Sequence, residues 1–187
     1  VSKIIYASSS SVYSDESLFK FNEIDTKLKP KSFYGKTKLS NEIYAKEFSK
    51  KENISMVGLR FFSVYGPLGR PDMAYYKFAN CIHKNDLLTL FNNGNMYRDM
   101  TYIDDIVDGL LASINFIDNA KKGSNQVFNL GNEKPIKTTY LLSTLEKLLK
   151  KTANITHKKS KNESKHTFAD LTKSKSILGY NPQIDFE

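Results

Sequence analysis

Tyr34 and Lys38 stand four residues apart in the run Tyr34-Gly35-Lys36-Thr37-Lys38. On a helix that spacing puts both side chains on one face. An ammonium beside a phenol favours the phenolate, and a phenolate so stabilised is a general base that works near neutral pH. A surface Tyr packed on a Lys stem satisfies the same spacing, so the pair gains meaning from its surroundings. Ser8, Ser9, Ser10 and Ser11 directly follow a short apolar run at 3–7 that reads as a buried parallel strand. Hydroxyls at the carboxyl end of such a strand sit where open α/β sheets bind ligands. A Ser there can hydrogen-bond the oxygen whose proton the Tyr removes.

These residues need strands and helices to hold them. A polar loop is expected over 14–32, and then a helix over 33–50, where Leu39, Ile43, Tyr44 and Phe48 recur at helical spacing. A second strand follows at 55–62, and a turn rich in Gly and Pro at 63–71. Further helices are expected at 72–84, 103–117, 138–151 and 170–178, the last with Asp170 as its N-cap and Gly179 at its stop. Short extended pieces are expected at 88–91, 99–103, 126–130 and 155–157. Strands alternating with helices imply βαβ units and a parallel sheet. The fold class is therefore α/β: a partial Rossmann-like, doubly wound parallel sheet with a smaller α/β lobe that binds substrate. Residues 1–71 form the first part, and 72–187 mainly the lobe, with a stretch near 99–130 returning to the sheet.

Composition narrows the function classes. Hydrophobic residues make up 40% and charged residues 26%, near globular averages, which excludes wholesale disorder and coiled coil. No apolar run reaches membrane-spanning length. Cys81 is the single cysteine, so an internal disulfide framework is ruled out and a reducing cytoplasm fits. The net charge is +8, yet Lys supplies it almost alone, since Arg occurs only at positions 60, 70 and 98. The basic stretch from Lys147 to Lys175 reads as solvated helix faces and loops, not a nucleic-acid surface. Where Lys is the default cation, an Arg marks a place that needs a planar five-donor fork.

Taken in order, YASSSSVY, the 21-residue step from Tyr13 to Tyr34, YGKTK, LRFFSVYGP and RDMTYIDDIVDG resemble the extended short-chain dehydrogenase/reductase family, specifically its NAD-dependent nucleotide-sugar epimerases and dehydratases. FNLGN and TFAD…LGYNP extend the resemblance over nearly the whole chain. Within that family, SVYGPLGRPDMAYYKF and RDMTYIDDIVDG look most like UDP-glucuronate 4-epimerases. The resemblance implies NAD as cofactor and a UDP-sugar as substrate. It implies that Tyr34 takes the 4-hydroxyl proton, that Lys38 favours its phenolate and bonds the nicotinamide ribose, and that Ser9 bonds the sugar oxygen. Ala7, Phe61 and Phe62 would lie beside the cofactor. Ser10 and Ser11 stand where dehydratases of the family carry Asp and Glu, which argues for epimerisation over loss of water. Ser63 and Arg70 would hold the substrate carboxylate. Ala74, Tyr75, Lys77, Leu90 and Phe91 would contact the nucleotide, with Phe91 near the uracil. Arg98 would neutralise the diphosphate, and Glu163 would reach the uridine ribose, although Lys161-Asn162 replaces the usual Pro-Gly before it. Metal ligands are not implied. A homodimer through the helix at 33–50 is.

The family's glycine-rich dinucleotide loop, G-x-x-G-x-x-G, has no counterpart among the nine glycines. The chain also opens without Met, directly in a strand. It is therefore expected to be the carboxyl-terminal portion of an epimerase, inactive alone and a poor binder of NAD. Rival readings are a UDP-glucose or UDP-N-acetylhexosamine 4-epimerase, a uronate decarboxylase of the same family, and a non-catalytic fragment that binds a sugar nucleotide or a partner subunit. Neither nucleic acid nor a membrane is an expected partner.

Overall fold

A computed structural model describes residues 1–14, 20–160 and 164–186. Strand β1 (Lys3–Ser9) runs parallel to β2 (Ser55–Phe61), and β2 runs parallel to a later strand at Asn125–Leu130. Helix α1 (Phe33–Glu52) makes the crossover between the first two. Its N-cap Ser32 accepts a hydrogen bond from the Gly35 N–H at 2.9 Å, and Asn53 ends it in the left-handed conformation. Strand β2 is buried along almost its whole length, which explains its apolar run Met56-Val57-Gly58-Leu59.

The remaining elements build around the ends of this sheet. Ser63–Tyr65, expected to lie in a turn, forms a short strand β3. Helix α2 (Ala74–Lys84) follows, then β4 (Leu87–Phe91), β5 (Tyr97–Tyr102), α3 (Ile103–Asp118) and β6, the strand at Asn125–Leu130. Next come β7 (Pro135–Lys137), α4 (Thr138–Leu149) and β8 (Asn154–Lys158). β5 pairs parallel with β3 and antiparallel with β7, while β4 pairs parallel with β8. Ser63, Val64 and Tyr65 are strand residues because Met100, Thr101 and Tyr102 stand opposite them, a pairing hidden behind the Gly and Pro that follow. The helix expected at 170–178 starts as foreseen, with Asp170 accepting from the Thr172 N–H, but widens to a π-turn over Ser174–Leu178 before Gly179 stops it.

One apolar cluster gathers Val57, Leu59, Phe128, Leu130, Ile106 and Leu171 around the three-stranded sheet. Another gathers Phe78, Ile82, Leu88, Leu90, Leu141 and Leu142 between α2, α4 and β4. Helix α1 departs from its apolar periodicity: Ile43 and Tyr44 face solvent, while Gly35, Glu42, Ala45 and Ser49 are buried. Small residues let the helix lie close on the sheet, and a Cβ at Gly35 would collide with the Ser11 carbonyl oxygen and with Pro30.

Two buried carboxylates tie the later segments down. Asp99 on β5 accepts the backbone N–H groups of Asn132 (2.6 Å), Glu133 (3.0 Å) and Ala169 (3.0 Å). Asp105 in the first turn of α3 accepts those of Gln183 (2.8 Å) and Ile184 (3.1 Å). Burial pushes the Asp99 carboxyl above its ordinary pKa, against the pull of its three donors. Replacing Asp99 by Ala orphans those donors. Asp99→Ala is expected to lower unfolding free energy by at least ~3 kcal/mol in urea titration; a loss under ~1 kcal/mol would show that the clamp is dispensable.

Candidate functional site

The carboxyl end of β1 faces the first turns of α1. Lys38 Nζ donates to the Ala7 carbonyl oxygen at 2.9 Å and lies 5.5 Å from the Tyr34 ring centroid. The Tyr34 phenol is half-exposed, as a group that must meet a ligand has to be. Ser9 is buried, and its Oγ accepts the Ser11 N–H at 3.1 Å, which caps the 3-10 turn Ser10–Val12. The Ser9 hydroxyl proton stays free to be given to a further acceptor. The predicted residues Ala7, Ser9, Tyr34 and Lys38 thus come together, through strand geometry on one side and helix periodicity on the other.

Three cavities lie among the other residues the motifs single out. The largest, about 630 Å³, is lined by Ser63, Arg70, Ala74, Tyr75, Lys77, Leu90, Phe91 and Arg98, so one cleft unites eight residues the motifs single out. A polar cavity of about 220 Å³ is lined by Ser10, Ser11, Ser63 and Arg98, and by Ser32, the cap of the helix that carries Tyr34. Ser63 and Arg98 belong to both and form the wall between them. A third cavity, about 420 Å³ and more apolar, holds Phe61 and Phe62 and shares Arg70 and Tyr75 with the cleft. Phe62 is also a buried member of the sheet core.

Two of the arginines engage protein atoms here. Arg70 forks onto Asp72, Nε to Oδ1 at 2.8 Å and Nη2 to Oδ2 at 2.6 Å, and both groups are exposed. This pairing raises the guanidinium pKa and lowers that of the carboxyl. Arg98 Nη1 donates to the carbonyl oxygens of Tyr97 (2.9 Å) and Ser164 (2.8 Å). Glu163 lies outside the described residues.

Sequence reasoning missed the polar layer beneath the site. The Glu42 carboxylate accepts Arg60 Nε at 2.9 Å and Nη2 at 2.6 Å, and it also accepts the Ser8 hydroxyl. Arg60 Nη1 donates to Tyr13 Oη at 2.8 Å, and Tyr13 Oη donates to Asn129 Oδ1 at 2.8 Å. Two signals were present: an Arg inside an apolar strand in a chain with three Arg, and an acid eight residues after Tyr34 on the same helix stripe.

The residues fit the nicotinamide-ribose end of a dinucleotide: a half-exposed phenol, a nearby ammonium and an apolar cavity holding Phe61. No glycine-rich cradle for the pyrophosphate occurs in the sequence. Among the described residues, no group of three His, Cys, Asp or Glu is placed to hold a metal ion, and no helix is long and apolar enough to cross a membrane.

A parallel sheet whose hydroxyl-bearing strand end meets a Tyr-x-x-x-Lys helix defines a Rossmann-like α/β protein of the short-chain dehydrogenase/reductase kind. The chain belongs to the NAD dependent epimerase/dehydratase family, whose model matches residues 1–131. A protein of Methanocaldococcus jannaschii is 45% identical over 100% of this chain and 56% of its own length. UDP-glucuronate 4-epimerase 5 of Arabidopsis thaliana is 41% identical over 98% of this chain and 45% of its own. UDP-glucuronic acid 4-epimerase of Bacillus cereus, solved with UDP-glucuronic acid and NAD, superposes with a TM-score of 0.88 at 37% identity, covering 98% of this chain and 57% of that one. The chain spans about half the length of the curated relatives it matches.

Proposed function

We propose that these residues form the substrate-facing part of an NAD-dependent UDP-sugar 4-epimerase that interconverts UDP-glucuronate and UDP-galacturonate through a 4-keto sugar. The observation that carries this reading is the corner where Lys38 fastens to the Ala7 carbonyl, two residues before Ser9, and lies over the Tyr34 ring, together with two cavities that share Ser63 and Arg98. Relatives named for this reaction support it.

NAD, when bound, supplies reversible oxidation at C4; its pyrophosphate cradle lies outside these residues. Tyr34 takes the 4-hydroxyl proton and later returns it. Lys38, 5.5 Å from the Tyr34 ring centroid, would reach the nicotinamide ribose, and Ala7, Phe61 and Phe62 would lie beside the cofactor. Ser9 donates to the sugar oxygen. Ser10 and Ser11 bring hydroxyls and no carboxyl group, so the site lacks the acid and base needed to eliminate water. Arg98, between the two cavities, pairs with the diphosphate, while Ala74, Tyr75, Lys77, Leu90 and Phe91 enclose the nucleoside.

Arg70 exchanges Asp72 for the sugar carboxylate. The exposed pair is weak, because water screens it, so the exchange is easy. Oxidation at C4 turns a glucuronate into a β-keto acid. If the C5–C6 bond lies perpendicular to the carbonyl plane it breaks, carbon dioxide leaves, and the electron pair enters an enolate that picks up a proton at C5. A bidentate guanidinium fixes the plane of the carboxylate and favours the charge that decarboxylation removes. Helix α1 further presents Phe33, Ile43 and Tyr44 to solvent, a face suited to the same face of a second copy about a twofold axis.

Two outcomes follow. The full-length enzyme should convert UDP-glucuronate in preference to UDP-glucose, and Arg70→Ala should slow epimerisation and release a UDP-4-keto-pentose, seen by mass spectrometry. Normal epimerisation by a folded Arg70→Ala enzyme, or a preference for UDP-glucose, would overturn the uronate reading. In sedimentation the wild type should run as a dimer and the double change Ile43→Glu, Tyr44→Lys as a monomer; a monomeric wild type would remove the α1 interface.

A further inference from the structure

Helix α1 carries Tyr34, Lys38 and Glu42 four residues apart, on one stripe. The stripe descends along the end of β1. Lys38 bonds the Ala7 carbonyl, and Glu42 accepts the hydroxyl of the next residue, Ser8. Ser8 and Arg60 stand opposite each other in the β1–β2 ladder, so their side chains leave the sheet on the same face. One carboxylate therefore closes three elements together: β1 through Ser8, β2 through both nitrogens of the Arg60 fork, and α1 through its own backbone. All three side chains are buried, with Ser8 at 2%, Arg60 at 3% and Glu42 at 7% exposure. Arg60 is itself held from the far side, by Tyr13 Oη at 2.8 Å and by the Tyr13 ring 4.7 Å from its Cζ.

Successive residues of a strand point to opposite faces. Ser8 turns towards Glu42, and Ser9 turns the other way, with its Oγ at the serine turn. Any shift of Ser8 is passed directly to Ser9, and any tilt of Glu42 is passed along the helix to Lys38 and Tyr34. We infer that Glu42 is a positioning residue for the reaction, which sets the spacing between the Tyr34–Lys38 stripe and Ser9 by anchoring both to the Ser8–Arg60 rung. It touches no substrate. A buried ion pair adds little to stability over a well-packed apolar substitute, whereas reacting groups lose rate steeply when displaced by about 1 Å. The inference rests on the epimerase reading of the corner.

Two variants separate positioning from simple folding. Ser8→Ala removes one hydrogen bond and leaves the ion pair whole. Glu42→Asp keeps the charge and withdraws it by one methylene. In the full-length, NAD-loaded enzyme, both should melt within a few degrees of wild type and keep UDP-sugar KM within about twofold. Turnover should fall about 5- to 20-fold for Ser8→Ala and about 100-fold for Glu42→Asp, on the scale of a small misplacement. Hydrogen exchange of the α1 amides between 35 and 45 should quicken in both, with β6 unchanged. Turnover within twofold of wild type in both folded variants would overturn the inference, and so would unchanged exchange along α1. Should the wild type turn over no UDP-sugar at all, the epimerase reading falls and the exchange measurement alone decides whether Glu42 positions the stripe.

Discussion

The buried bond between Glu42 and Arg60 is the constraint to which the rest of the structure is registered. Removing two charges from water is costly, and their attraction repays it only with good geometry and satisfied neighbours. Here the fork is bidentate, Ser8 donates to the same carboxylate, and Tyr13 Oη accepts a hydrogen bond from a further guanidinium N–H. Burial works against the Arg60 charge, but its bonds to Glu42 and Tyr13 outweigh that and push its pKa above the ordinary arginine value. Burial likewise pushes the Tyr13 phenol up, which keeps it neutral, able to accept from Arg60 and donate to Asn129. From Asn129 the layer continues through Nδ2 to the Phe21 carbonyl at 2.7 Å and the Asp170 carbonyl at 3.1 Å. Deleting one member of such a pair characteristically costs about 3–5 kcal/mol, because the other charge is left buried and alone.

The same device recurs where the chain leaves the sheet. Asp99 and Asp105 each spend a buried carboxylate on backbone N–H groups of distant segments. Asp99 draws the loop after β6 and the segment at Ala169 onto β5; Asp105 draws Gln183 and Ile184 onto α3. Ser63 and Arg98, which the large cleft and the polar cavity share, depend on this, because Arg98 sits next to Asp99 in β5 and Ser63 opens β3, which pairs with β5. The motif RDMTYIDDIVDG thus joins one arginine that faces the cavities with two aspartates that hold the frame.

Much of this was legible in the sequence, and the gaps have physical causes. The strand at Ser55–Phe61 announces itself because a parallel strand buried on both faces reads as an apolar run, whereas β1, expected to be buried over 3–7, is exposed or half-buried there and buried only at Ser8 and Ser9. Eight of the residues lining the large cleft were singled out through motifs, since no periodicity marks them. The α1 helix was legible, but its buried face was not: Ile43 and Tyr44 suggested the core side, whereas the helix packs through Gly35, Glu42, Ala45 and Ser49. Small and polar residues pack there because the sheet offers Ser8 and Arg60 and not an apolar floor. Glu42 escaped notice because an acid on a Lys-rich helix reads as solvated. The strand Ser63–Tyr65 escaped because a three-residue pairing depends on a partner 37 residues later.

The central claim is that Tyr34, Lys38 and Ser9 oversee oxidation and re-reduction at one carbon of a bound UDP-sugar. The most direct measurement gives the full-length, NAD-loaded enzyme UDP-glucuronate labelled with deuterium at C4, in ordinary water, and reads the recovered nucleotide sugars by NMR. Removal of the hydrogen at C4 and its return to the opposite face of the same sugar predicts UDP-galacturonate that keeps its deuterium at C4, with none entering from or lost to solvent. Label washed out to water, or recovered UDP-glucuronate with no epimer formed, would contradict the account.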